Sequence, residues 1–394
     1  MKALVLSGGG AKGAYQIGVW KALKKLGVKF DIVTGTSVGA LNGTLIVQNE
    51  YRKAVKIWKK INLKSLFNEE TTNETTNLDI YKIYGKKVLK EGGMDTSELE
   101  EIINQALNKR KFFSSKINYG LITYNLTDKK PVVITKATIN KDSFSNYLVA
   151  SASCFPAFKE KIINQKKYID GGYYDNLPIN LAIDLGATEI IAVDLNAPGI
   201  KQQPKEKIKT TTIKPRNKLT SFLYFQEKAT IKSIKYGYND TMKAFHKLEG
   251  NKYTFKKNNL EKNLRLYLDT YLHILNKILK YKKAIRAFEE IIKIDISTDK
   301  ELKKELLEKL FIRIMENLAK SFDLDDSAIY TTKSFNNNLK RKLNNYLKNP
   351  KESKKEVELY LRIVNNEFNS LRKEALLNPI DLLKAIYLYT ICEA

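Results

Sequence analysis

Short apolar runs bounded by glycines and polar turns fill the first 250 residues, and longer stretches with a three-to-four-residue apolar period replace them afterwards. KALVLS predicts a first strand. Val19, Ala22, Leu23 and Leu26 then recur at i, i+3, i+4 and i+7, which predicts an amphipathic helix. FDIVTG predicts a second strand, followed by a helix through Leu41 and Leu45. YGLITYN, PVVITKA, KKYIDGG and EIIAVDL read as later strands. Strand–helix alternation of this kind predicts an α/β sandwich with a mostly parallel sheet. From residue 257 onward the pattern predicts an all-α domain, with helices over 259–281, 282–293, 299–322, 335–347, 353–374 and 380–392. The polar stretch NEETTNETTN at 68–77 predicts a loop.

Composition sharpens that division. All 19 glycines lie in residues 1–250, so the expected domains are 1–256 and 257–394. The net charge of +26 is uneven: residues 201–256 hold 14 basic against 4 acidic side chains. Such a surplus favours anionic partners, and peripheral association with an anionic membrane surface is the partner expected. With 60 lysines and 9 arginines the chain has little apparatus for reading bases, so no specific nucleic acid is expected. Cys154 and Cys392 match no metal-ligand or disulfide framework. No apolar run reaches the length of a membrane span or of a secretory leader, and a cytoplasmic protein is expected.

The chemistry begins at SGGGAKG. Gly8-x-Gly10-x-x-Gly13 after a strand and before a helix fits a dinucleotide-binding loop, with Asp31 as its ribose-binding acid. That spacing keeps a Rossmann-type oxidoreductase open as an alternative. A second motif, Gly35-Thr36-Ser37-Val38-Gly39, lies between an apolar strand and a helix. Glycines two positions either side of a serine allow the sharp turn that exposes its hydroxyl as a nucleophile. With both motifs at strand ends of one sheet, the backbone N–H groups of the glycine loop would face an oxyanion instead of a pyrophosphate. Lys12 would add positive charge there. The serine needs a base, and residues 1–245 contain no histidine. Asp170, ending a strand before Gly171 and Gly172, is the carboxylate whose backbone a turn would fix. Asp175, Asp184 and Asp194 are weaker candidates. His246 completes a Ser–Asp–His chain order but falls in the helical pattern NDTMKAFHKLEG, and the serine elbow follows only the second strand.

SGGGAKG, GTSVG and DGG, in that order, resemble the bacterial patatin-like phospholipases, which are serine acyl hydrolases with a Ser-Asp dyad. LVASASCFPAF (148–158), DGGYYDNLP and GATEIIAVDLN are also similar to family segments. The resemblance covers roughly residues 1–256. It implies Ser37 as nucleophile, Asp170 as base, and an oxyanion hole from Gly8, Gly9, Gly10, Lys12 and Gly13. It implies a three-layer α/β/α sandwich (patatin-like) as the fold and a lipid ester as substrate, cleaved through an acyl-serine with no metal or organic cofactor. The remaining alternative is a lysine-rich helical adaptor that holds a protein partner through 257–394, with catalysis secondary. The partner of that helical region is unknown.

Overall fold

The computed structural model describes residues 1–61, 82, 85, 88–90, 92–280, 300–350 and 352–393. The chain divides into two compact units, Met1–Ala244 and Phe245–Ala394. The polar stretch at 68–77 and the helix expected over 282–293 lie outside the described residues.

The first unit runs β1 (Lys2–Leu6), α1 (Ala14–Lys25), β2 (Ile32–Thr36), α2 (Val38–Val47), α3 (Tyr51–Lys60), α4 (Ser97–Ala106) and α5 (Lys109–Ser114). It continues through β3 (Asn118–Asn125), β4 (Lys130–Thr135), α6 (Phe144–Ala152), β5 (Lys161–Ile163), β6 (Lys166–Asp170), α7 (Ile179–Asp184), β7 (Glu189–Val193), β8 (Lys209–Ile213) and α8 (Glu227–Ala244). The sheet order is β5-β6-β3-β2-β1-β7-β8, with β4 paired to β3 beside that path. Neighbours from β3 to β8 run parallel, and β4, β5 and β6 add an antiparallel margin.

Helices cover both faces, and β3 shows why. Successive strand residues point to opposite faces. Tyr119 donates its hydroxyl hydrogen to Ala40 O in α2, 2.8 Å away, whereas a Cβ on Gly120 would meet Leu181 of α7. Alternation within β1 does the same: Ala3 and Val5 join Ala182 and Ile183 in one core cluster, while the intervening Leu4 is buried on the other face. The expected sandwich is therefore what forms. On the α2 face, α1 and α8 cross so closely that a Cβ on Gly18 or Gly237 would strike the other helix's backbone.

Two strands, β5 and β8, escape the apolar pattern. β5 and β6 form a hairpin closed by Asn164 and Gln165 at φ 49 and 62, the left-handed pair a two-residue turn needs. β8 reads KTTTI, and most of it is exposed at the sheet edge.

The second unit packs helices α9 (Asn259–Leu279), α10 (Lys300–Ser321), α11 (Thr332–Lys348), α12 (Lys355–Val364), α13 (Phe368–Leu377) and α14 (Pro379–Glu393). A small sheet, β9 (Leu248–Glu249), β10 (Thr254–Lys256) and β11 (Ile329–Tyr330), accompanies them. The single helix expected over 353–374 is two, because Asn366 adopts φ 60 and ends the first. The core centres on α14, where Leu382, Leu383, Ile386, Tyr387 and Ile391 are fully buried. Tyr387 donates its hydroxyl hydrogen to Asn336 Oδ1 at 2.9 Å and accepts from Asn263 Nδ2 at 2.8 Å, so its buried hydroxyl is satisfied.

Candidate active site

Ser37 stands at the junction of β2 and α2 with φ 56 and ψ −129, a left-handed backbone that costs a non-glycine residue roughly 1–3 kcal/mol. Its neighbours enforce the turn. A Cβ on Gly35 would run into the Gly39 carbonyl, and one on Gly39 would run into Leu6 O. The elbow therefore closes against the end of β1, which carries the glycine loop. Ser37 N–H donates to Ser151 Oγ at 3.0 Å, and Ser151 in turn donates to Ile122 O at 2.7 Å. Thr36 Oγ1 donates to Asp175 O at 2.7 Å. Ser151, in α6, ties the nucleophile to β3; sequence reasoning missed it, although a serine inside an apolar helix was the available signal.

Asp170 ends β6 and is 5% exposed. Its carboxylate accepts Gly172 N–H at 2.7 Å and faces the Ser37 hydroxyl, and both donors favour its charged form. Burial pushes its pKa up to about 6, against the opposing pull of those two donors. A Cβ on Gly171 would meet Ile122 O, so the tight turn after the carboxylate needs that glycine. Cys154 lies in the same cavity, and burial together with the Asp170 charge pushes its thiol up to about 12. The thiol is therefore neutral at ordinary pH.

The glycine loop divides its roles. Gly9 and Gly10 line the cavity that holds Ser37 and Asp170, and among the described residues neither N–H has an acceptor. Gly10 has φ 54, and a Cβ there would strike Phe222 O, the carbonyl that accepts Ala11 N–H at 2.7 Å. Gly8 differs from the expectation: its N–H is already donated to Asn176 O at 3.1 Å. Gly13 is a packing position against Val38 and Trp58. Lys12 turns away too. Its ammonium donates to Asn196 O at 3.1 Å and lines a separate basic cavity with Arg216 and Lys218. Burial lowers its pKa, with Asp194 partly offsetting this.

The other candidates separate cleanly. Asp31 lies at the start of β2, where its carboxylate accepts Lys2 N–H at 2.8 Å. The glycine loop follows the far end of β1, a strand length of about 16 Å away, so one dinucleotide cannot use both in the Rossmann manner. Asp194 is held by Lys201 at 2.8 Å and Lys214 at 3.4 Å, and Asp184 is paired with Lys205. Asp175 accepts Leu177 N–H at 3.1 Å and Gln202 N–H at 3.3 Å, and burial raises its pKa to about 6. These are structural carboxylates. His246 is not helical: α8 ends at Ala244, and His246 takes φ 53 in the turn beyond it. Among the described residues no group of three His, Cys, Asp or Glu side chains is arranged to hold a metal.

Phe222–Phe225 is part of the site itself. Phe222, Leu223 and Phe225 line the cavity over Ser37, and Leu223 packs with Met94 and Phe158.

A serine on a strained backbone, a buried carboxylate facing it and two open N–H donors are brought together by three separate strand ends, those of β2, β6 and β1. Residues 4–183 match the patatin-like phospholipase family. The match spans both Ser37 and Asp170. The chain is similar to patatin-like phospholipase domain-containing protein 7 of Rattus norvegicus, 30% identical over 199 residues. That alignment covers 50% of this chain and 14% of the relative. It is also similar to lysophospholipase nte1 of Aspergillus terreus, 28% identical over 199 residues, covering 49% of this chain and 12% of the relative. The chain thus spans a small part of the curated relatives it matches. Among solved structures it is similar to VipD from Legionella pneumophila, with a TM-score of 0.41 and 13% identity, covering 99% of this chain and 91% of that one.

Proposed function

We propose that the chain is a lipid acyl hydrolase in which Ser37 is the nucleophile and Asp170 its base. The observation that carries the reading is the strained Ser37 elbow and the buried Asp170 carboxylate facing it in one cavity. The patatin-like match and the lysophospholipase relative support the substrate class, a carboxylic ester of a lipid.

Ser37 Oγ attacks the ester carbonyl while its proton passes to Asp170. Negative charge develops on the carbonyl oxygen, and the Gly9 and Gly10 N–H groups are the donors available to hold it. Loss of one such donor typically costs about 10²–10³ in turnover. The C–O bond to the alcohol breaks and Asp170 returns the proton to the departing oxygen. Water, giving its proton to Asp170, then attacks the acyl-serine; the fatty acid leaves and Ser37 recovers its hydrogen. Since Asp170 must start ionised, a pKa of about 6 leaves it mostly ready at neutral pH while keeping it basic enough to accept a proton.

Lipid esters present themselves at surfaces, and the lysine surplus in 201–256 supports attraction to an anionic one. Lys201, Lys205, Lys209 and Lys214 are each paired with a local carboxylate, which reduces the charge left for such contact. No helix among the described residues is long and apolar enough to cross a membrane.

The test is hydrolysis of p-nitrophenyl butyrate and fatty-acid release from phospholipid vesicles by wild type and Ser37→Ala. The alanine variant is expected to lose at least three orders of magnitude on both while keeping its circular dichroism. Full activity in that variant overturns the assignment.

A further inference from the structure

Asn176 lies between β6 and α7, is 2% exposed, and borders the cavity of about 440 Å³ that holds Ser37 and Asp170. All but one of its polar atoms have a bond that the fold itself supplies. Its N–H donates to Ile200 O, its carbonyl accepts Gly8 N–H at 3.1 Å, and its Nδ2 donates to Pro198 O at 3.2 Å. Among the described residues nothing donates to its Oδ1. A buried acceptor of this kind calls for a donor, and here the cavity must bring it.

Two glycines make room for that oxygen. A Cβ on Gly8 would strike Asn176 Oδ1 and stand 3.0 Å from Ser37 Cβ, so Gly8 lets the amide approach the nucleophile. A Cβ on Gly172 would lie 3.1 Å from Asn176 Oδ1 and 3.1 Å from Asp170 Oδ1. The two oxygens are therefore at most about 6 Å apart, close to the span of one water donating to both at ~2.8 Å. The bond to Pro198 O keeps the amide nitrogen on the far side, where Gly199 packs against it.

The chemistry of an ester narrows what that oxygen can meet. A carboxylic ester brings only acceptors to its reacting centre. Ser37 has one hydroxyl hydrogen, and in the proposed mechanism it goes to Asp170. Water alone arrives with two.

We propose that Asn176 Oδ1 holds the deacylating water and aims it at the acyl carbon. This rests on the acyl-hydrolase reading. One water hydrogen bonds to the Asp170 carboxylate and the other to Asn176 Oδ1, which leaves a lone pair of the water oxygen for the acyl-serine. As the new C–O bond forms, the first proton passes to Asp170. The second stays on the oxygen, still bonded to Asn176, and becomes the hydrogen of the carboxylic acid. The bond to Ser37 Oγ breaks, and Asp170 returns its proton there. Asn176 thus serves deacylation and not the attack by Ser37.

Methanol separates this role from a structural one, because it carries one hydroxyl hydrogen for Asp170 and a methyl group where water has its second. The full-length protein is given p-nitrophenyl butyrate at a fixed methanol concentration, and methyl butyrate and butyrate are quantified by gas chromatography. Their ratio reads only the molecules that turn over, so partial misfolding of a variant does not move it. Asn176→Leu, close to asparagine in volume, should raise the ester-to-acid ratio about tenfold, the factor that one lost hydrogen bond supports. Asn176→Asp keeps an acceptor and should stay within twofold of wild type. Asn176→Val decides the matter should the leucine variant yield no product. A ratio unmoved by the apolar substitution, or moved equally by aspartate, overturns the proposal. Ethyl fluorophosphonate, whose capture by Ser37 consumes no water, gives the second readout: its rate should change less than threefold in Asn176→Leu. A labelling rate that falls as far as hydrolysis does makes Asn176 a structural residue and also overturns the proposal. Labelling of Ser37 in wild type with an unmoved ratio overturns only the water role, whereas no labelling of Ser37 in wild type overturns the hydrolase reading and the water role with it.

Discussion

Replacing Asp170 with asparagine should cost the protein its activity and raise its stability at neutral pH. The carboxylate is 5% exposed, and its pKa stands at about 6 chiefly because burial disfavours its charge. An unfolded aspartate titrates near 3.9, so the shift is about two units, or about 3 kcal/mol at 1.4 kcal/mol per unit. Its sign follows from proton counting. Between about pH 4 and pH 6 the folded chain holds more of this proton than the unfolded one, so stability falls as pH rises through that window. The penalty is complete above the folded pKa and absent below the unfolded one. Asparagine is nearly isosteric and keeps an oxygen for the 2.7 Å bond from Gly172 N–H, yet cannot ionise. Urea unfolding followed by tryptophan fluorescence isolates the relevant unit, because Trp20 and Trp58 are the chain's only tryptophans and both are buried within Met1–Ala244. Asp175, also raised to about 6, tilts both proteins alike and cancels in the difference. Asp170→Asn should be more stable than wild type by about 2–3 kcal/mol at pH 8, with the gap closing toward pH 4. A gap independent of pH, or a variant less stable at pH 8, refutes the reasoning.

Ser151→Ala leaves Ser37 N–H and Ile122 O without their buried partner and should cost about 1–3 kcal/mol of stability, with a fall in kcat exceeding any change in KM; unchanged kcat in a folded variant would remove its positioning role. His246→Ala should retain turnover within a factor of two, and kcat/KM against pH should rise once through about 6 with no second limb near neutrality. Co-sedimentation should favour vesicles containing phosphatidylglycerol over neutral ones and be released by half-molar salt; equal, salt-insensitive partitioning would discard the electrostatic docking of residues 201–256.

What the sequence revealed followed distance along the chain. The elbow was readable because Gly35 and Gly39 answer a local steric demand, and the strand before it because its residues are buried throughout. Asp170 was readable from its turn and from the lack of an early histidine. The direction of Lys12 was not, because an ammonium four bonds beyond its Cβ goes where distant partners draw it, here Asn196. Ser151, the Asn176 carbonyl that takes Gly8 N–H, and the Phe222 carbonyl that takes Ala11 N–H act through contacts spanning more than a hundred residues, which no local spacing records. The helix end before His246 was missed because NDTMKAFHKLEG carries no glycine or proline until Gly250, while the backbone at His246 turns left-handed.

The most direct test of the dyad is the pH dependence of fluorophosphonate labelling, with the modified residue identified by peptide mass spectrometry. Label is expected on Ser37, at a rate that rises through about pH 6 in wild type and is at least a thousandfold slower in folded Asp170→Asn at every pH. Label on another residue, or wild-type labelling rates in the asparagine variant, would contradict the account.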